Sequence, residues 1–194
     1  MDLVQRAQAV LLKPKEEWLK IKGESTAIPQ LFTSYAMILA AIPPAAQFIG
    51  RLLFRSEIPF RHVVVWSFGR AFSNAVLSYV FSLAIVYLFA LIIDALAPNF
   101  SSVRNLTNAM KLAVYSMTPV WLAGIFYIIP GLGILVLLAG LYGLFLLYEG
   151  FETPLMDTPK DRVLGFLVIS VIVIAALLIV VRLILEVLIL RGVA

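Results

Sequence analysis

With 194 residues, 62% of them hydrophobic and only 13% charged, the chain falls far below the roughly 25% charge typical of soluble domains. A net charge of +4, dispersed along the chain, excludes a nucleic-acid footprint and suits basic residues facing anionic headgroups. With no cysteine, disulfides, thiolate metal sites and a cysteine nucleophile are excluded.

Residues 1–24 are charged and amphipathic and carry no apolar core segment, so no cleavable signal peptide is expected and internal spans direct insertion. Leu3, Val4, Ala7, Val10 and Leu11 recur at helical spacing, with Arg6 and Gln8 assigned to the opposite face. Pro14 restarts the chain into Lys15-Glu16-Glu17-Trp18. Residues 1–28 are therefore expected to lie as an amphipathic segment on the cytoplasmic membrane surface, with Trp18 and Ile21 at headgroup level. The alternative is a docking site for a cytoplasmic partner.

Charge-free runs then locate the spans. Residues 112–148 hold 37 positions without one charged side chain. A single helix of that length would be about 55 Å long against a hydrocarbon core of about 30 Å. The Pro130-Gly131-Leu132-Gly133 step breaks it into two spans joined by a tight apolar turn. Three further runs complete an all-α, five-helix transmembrane bundle over 29–194, with spans at about 30–50, 71–96, 110–129, 132–149 and 163–190. The period-2 alternation of an outer-membrane strand is missing, which excludes a barrel.

Basic residues set the orientation. Placing the amino terminus in the cytoplasm puts nine of them on that side, including Arg104 and Lys111 from the second loop, against five outside. The carboxyl terminus is then periplasmic. The arginines of 51–70, beside aromatic residues and His62, are expected on an outer amphipathic segment.

Polar residues within the spans are few. Asn74, Ser78 and Ser82 recur every four positions, a stripe that reads as helix-packing glue or as the wall of a polar path. Tyr115, Ser116 and Thr118 precede Pro119, which kinks the third span; the Ser116 and Thr118 hydroxyls are expected to satisfy the loosened backbone. Pro43-Pro44 bends the first span, and Tyr142 is one of two tyrosines in the fourth. Arg182 and Glu186, four apart on the fifth helix, read as an anchor near the outer boundary or a functional ion pair. Asp94 reads as interfacial, and Glu149, Glu152, Asp157 and Asp161 as part of a solvated loop with Lys160 and Arg162.

Catalysis is hard to build from this inventory. His62 has no carboxylate at triad spacing, and the serines lack an identifiable base. The glycines at 131 and 133 form a turn, since no strand precedes them and no lysine follows to cradle a phosphate. No catalytic residue, cofactor or metal is expected. The expected partners are membrane lipids, a second copy of the chain or other membrane proteins. A transporter or lipid-moving protein is the alternative, because helices broken at Pro43-Pro44 and Pro119 are what such proteins use to expose backbone to substrate.

Several ordered stretches resemble the bacterial branch of the Yip family, five-span membrane proteins whose eukaryotic relatives interact with Rab GTPases. They are Lys13-Pro14 through Trp18-Leu19-Lys20-Ile21, Leu77-Ser78-Tyr79 on to Ala97-Pro98-Asn99-Phe100, and Ala113 through Pro119. Ile129-Pro130-Gly131-Leu132-Gly133, Leu141 through Gly150, and Thr153-Pro154-Leu155-Met156 with Pro159 complete the set. The resemblance implies a five-helix bundle with a cytoplasmic amino terminus. It also implies an integral inner-membrane protein with no assigned catalytic residues.

Overall fold

Proline placement decides where many of the helices begin. The structure, a computed structural model, describes residues 2–54, 67–153 and 155–192, the last stretch without the side chains of 178 and 180–192. Most of the 51–70 segment, with His62, lies outside the described residues, as do the side chains of Arg182 and Glu186. Among the described residues the regular structure is entirely helical.

The amino-terminal stretch is a hairpin of two short helices. The first, α1 (Leu3–Leu12), stops before Pro14, which opens α2 (Pro14–Gly23) from the first turn, where a missing N–H breaks no helical bond. The first long segment, Ile28–Leu53, comprises α3 (Ile28–Leu31), a π-helical turn at Phe32–Ala36, α4 (Met37–Ala40) and α5 (Ile42–Leu53). The bend at Ala41 precedes α5, whose first turn accommodates Pro43.

The second segment is α6 (Phe68–Leu96), begun by Ser67, whose hydroxyl accepts the Arg70 N–H at 3.4 Å, and ended by a 3-10 turn at Ala97–Phe100. Asn105 caps α7 (Leu106–Ser116) by accepting the Asn108 N–H at 3.0 Å. The chain then breaks at Met117 and resumes as α8 (Thr118–Ala123) and a 3-10 turn at Gly124–Ile128. Gly131, with φ +91°, turns it into α9 (Gly133–Glu152). The last helix is α10 (Lys160–Gly192).

Among the described residues, four segments are long and apolar enough to cross a membrane: Ile28–Leu53, Phe68–Phe100, Leu106–Ile128 and Gly133–Glu152. The third is the most enclosed, every residue from Ala109 to Ser116 being buried. It packs against α6, α9 and α3, while Val80, Leu88, Leu138 and Leu141 stay exposed on outer faces that lipid would solvate.

The hairpin departs from the expected surface-lying helix. Trp18 is 1% exposed and Ile21 0%, so both belong to the protein core and neither anchors at headgroup level. The Trp18 ring meets Tyr115 edge-on at 6.3 Å, and α2 packs on α9. Glu149 also departs from expectation: it is buried in the last turns of α9, bridged by Lys15 at 3.6 Å, and lies on no solvated loop. An outside tie joins Lys22 to Asp157 at 3.0 Å.

Close approach at the bend of the first segment depends on Gly124. A Cβ there would lie 2.9 Å from the Pro43 Cα and closer still to its ring. Gly124→Ala is expected to lower stability by about 1–3 kcal/mol through overpacking. Thermal unfolding in detergent checks this; an unchanged midpoint would mean that the two bends do not interlock.

Candidate functional site

On α1, Leu3, Arg6, Ala7 and Val10 are spaced i, i+3, i+4 and i+7, and Pro14, Glu17, Trp18 and Ile21 repeat that spacing on α2. Each inward stripe thus carries one charge. Arg6 is 6% exposed and Glu17 1%, which corrects the assignment of Arg6 to the face opposite the apolar residues. The guanidinium Nη1 donates to a Glu17 carboxylate oxygen and Nη2 to one of Glu24. Lys20 Nζ reaches the second Glu17 oxygen at 3.3 Å. The Arg6 guanidinium carbon also lies 5.7 Å from the centre of the Tyr115 ring.

Burial of these charges costs several kcal/mol per ion before pairing, and the two-pronged guanidinium geometry offsets it. Burial alone would weaken the Arg6 charge. The hydrogen bond to Glu24 and the surrounding negative charges outweigh it and hold the guanidinium above its ordinary pKa. Arg6 therefore stays charged throughout the range where the protein is folded.

Lys111 extends the cluster. Expected in the second loop, it instead sits inside α7, buried, and donates from Nζ to the Ile21 carbonyl at 2.9 Å and to that of Glu24 at 2.5 Å. It thereby adds a second donor to the Ile21 carbonyl, which also accepts the Glu24 N–H at 3.3 Å, and brings a charge of the favourable sign to the carboxyl end of α2. Residues of α1, α2 and α7 are thus fastened together by three buried charged side chains.

Beside this cluster lies a polar cavity of about 230 Å³. Arg6 and Glu24 form one wall. Thr26, just before the first long segment, and Gln30 and Ser34 on its first turns form another. Tyr35 and Tyr115 line it as well, their rings edge-on at 4.8 Å. Tyr35 sits in the π-helical turn, a local irregularity frequent at functional sites, and its hydroxyl shares a 2.8 Å hydrogen bond with the Thr118 hydroxyl. A second cavity, of about 390 Å³, is apolar and lies where α6, α8, α9 and α10 meet, with Val86, Met117, Gly143 and Val171 among its walls.

The other sequence candidates are distributed through the bundle. Asn74 accepts a hydrogen bond from Arg51 on α5 and one from Ser78 at 3.4 Å, and Ser82 accepts the Trp121 indole N–H at 3.4 Å. The Tyr142 hydroxyl donates to the Leu11 carbonyl at 2.6 Å, tying α9 to the end of α1. Thr118 is occupied by Tyr35, and the buried Ser116 hydroxyl has no partner among the described residues, so neither satisfies the loosened backbone as expected. Ser116 and Pro119 flank the close approach of α9 at Gly143. Pro130, Gly131 and Gly133 form the α8–α9 turn, far in sequence from any charged group. Asp94 is buried and accepts from Arg104 at 2.9 Å. Among the described residues no group of three or more His, Asp or Glu side chains is placed to hold a metal.

Of the candidates, the polar site thus uses Trp18 and Tyr115. It adds Arg6, Glu17, Glu24, Tyr35 and Lys111, of which the first two were detectable from their place in the i, i+3, i+4, i+7 stripes. Arg6→Met leaves the buried Glu17 with Lys20 as its sole counter-charge among the described residues and is expected to cost about 3 kcal/mol, the lower end for breaking a buried pair. Equilibrium unfolding in mixed micelles checks it, and a loss below about 1 kcal/mol, as for a surface pair, would refute the buried arrangement.

The Yip1 domain matches residues 9–183, from within α1 into α10. Among similar proteins, the inner membrane protein YohC of Escherichia coli strain K12 is 29% identical over 157 residues, which cover 79% of this chain and 80% of YohC. YohC of Escherichia coli O6:H1 matches to the same extent. No solved structure matches the chain. Matched over most of its length by this domain, the chain belongs to the Yip1 family and is a multi-pass membrane protein.

Proposed function

We propose that the chain is a non-enzymatic inner-membrane protein that binds partner proteins and organises them at the cytoplasmic surface, with the α1–α2 hairpin as its docking face. The observation that carries this reading is the two-sidedness of the hairpin. Its inner face is fastened to the bundle through Arg6, Glu17, Glu24 and Lys111. Its outer face presents Leu12, 79% exposed, and Leu19, 56% exposed, beside Lys15 and Lys20. A rigid platform with exposed apolar residues binds at low ordering cost. The non-enzymatic reading rests on the use of the buried charged groups, which are engaged in joining helices.

Five crossings go with this reading, α10 being the fifth, with the amino terminus cytoplasmic as the basic-residue count favours. Inner-membrane placement draws on the YohC relatives. The absence of native cysteine makes the crossing number directly testable. In Arg162→Cys and Arg191→Cys variants, a membrane-impermeant thiol reagent is expected to label opposite faces of the membrane; labelling of both from one face would contradict five crossings.

Photocrosslinkers at Leu12 and Leu19 are expected to give discrete protein adducts in cells, whether to another membrane protein or to a second copy. A crosslinker at Leu138, on an apolar outer face, should give none. Equal adducts at all three, or none at Leu12 and Leu19, would contradict a docking hairpin.

A lipid-moving protein is the second reading, favoured by the apolar 390 Å³ cavity and by the helix breaks at Ala41 and Met117. Lipid scrambling by reconstituted protein tests it, and flux equal to empty liposomes would remove it.

A further inference from the structure

The polar cavity between the hairpin and the first long segment is not needed to dock a partner, and its chemistry points to a different ligand. We infer that it is a binding site for the headgroup of a zwitterionic aminophospholipid, its ammonium held by Glu24 and its phosphate by Tyr115 and the edge of Arg6. This goes beyond the partner-binding reading and does not rest on it.

Four observations converge. The first is position. Gln30 and Ser34 are exposed on the first turns of the Ile28–Leu53 segment and flank the cavity, so it opens where that segment enters the bilayer and where headgroups lie. The second is size. About 230 Å³ is below the roughly 300–1,000 Å³ of sites that enclose a whole drug-sized molecule, and suits a headgroup whose acyl chains stay in the membrane.

The third is charge. The cavity lining carries one guanidinium and one carboxylate, and the Glu24 side chain keeps 35% of its surface exposed. Only one Glu24 carboxylate oxygen is engaged by Arg6, so the other is left to accept from an ammonium. An anionic headgroup without an amine would meet that carboxylate unpaired, which is costly. The fourth is an unused donor. Tyr115 is 5% exposed and lines the cavity, yet among the described residues its hydroxyl makes no hydrogen bond. The hydroxyl oxygen is not fully enclosed, so it stays open to the cavity and can donate to a phosphate oxygen there. Tyr35 differs, because its hydroxyl is already shared with Thr118.

The test is lipid retention by the full-length protein in native mass spectrometry, comparing phosphatidylethanolamine with phosphatidylglycerol of identical acyl chains. One phosphatidylethanolamine is expected to stay bound under activation that strips phosphatidylglycerol. Tyr115→Phe keeps the ring packed against Trp18 and Tyr35, so the fold survives, and should reduce phosphatidylethanolamine retention about tenfold, the worth of a hydrogen bond to a charged group. Gln30→Ala, at an exposed position, should weaken retention with no change in thermal midpoint. Equal retention of the two lipids overturns the inference, as does retention unchanged in both variants. Displacement of the lipid by soluble O-phosphoethanolamine at equal concentration overturns the lipid source in favour of a free ligand. None of these outcomes alters the hairpin crosslinks, so the two readings fail separately.

Discussion

A guanidinium buried at the end of a membrane bundle must have counter-charges in reach, and Arg6 finds two, on different parts of the chain. Glu17 lies on α2 and Glu24 just beyond it, so one side chain joins the first helix, the second helix and the approach to the first long segment. Lys111 closes the arrangement from α7 by bonding to the backbone carbonyls where α2 ends. Such charges stabilise little compared with apolar packing, but removing one partner exposes the desolvation cost of the rest. The hairpin is consequently a structural part of the bundle, with Trp18 and Ile21 packed in its core.

The helix irregularities have a common location. The π-helical turn at Phe32–Ala36 and the break at Met117 lie on neighbouring segments, and the Tyr35–Thr118 hydrogen bond joins them. In lipid, loosened backbone is tolerated only where protein or a cavity covers it. Here Tyr35 and Ala36 bury one side of the first irregularity, the Thr33 and Ser34 hydroxyls donate to the Pro29 and Gln30 carbonyls at 3.0 and 2.6 Å, and the apolar cavity adjoins the second at Met117. Ser34 and Tyr35 of that turn form part of the polar cavity's wall, so the irregular backbone and the site lie side by side.

Much of this was legible in the residues. Uncharged runs at 30–50, 71–93 and 112–148 correspond to the four segments that, among the described residues, are long and apolar enough to cross, and Pro130-Gly131 marks the turn between two of them. The break beside Pro119 and the bend before Pro43 follow from a proline's missing N–H. The π-helical turn was not legible, because Phe32-Thr33-Ser34-Tyr35-Ala36 contains neither proline nor glycine. Placing Arg6 opposite the apolar residues presumes that a charge faces solvent, yet Arg6 sits three residues after Leu3 and four before Val10 on the inward stripe. Its partners are 11 and 18 residues away, and only the fold brings them together. Lys111 reads as a loop residue for the same reason: its acceptors lie about 90 residues earlier.

Everything turns on the hairpin being part of the bundle. Hydrogen–deuterium exchange of the full-length protein in lipid nanodiscs reads this directly at the amides of α1 and α2. Protection of residues 6–12 and 17–23 comparable to that of α7 is the expected result, since opening the hairpin would strand Arg6 and Glu17. Exchange of those amides at the rate of an unstructured peptide, with α7 still protected, would contradict it.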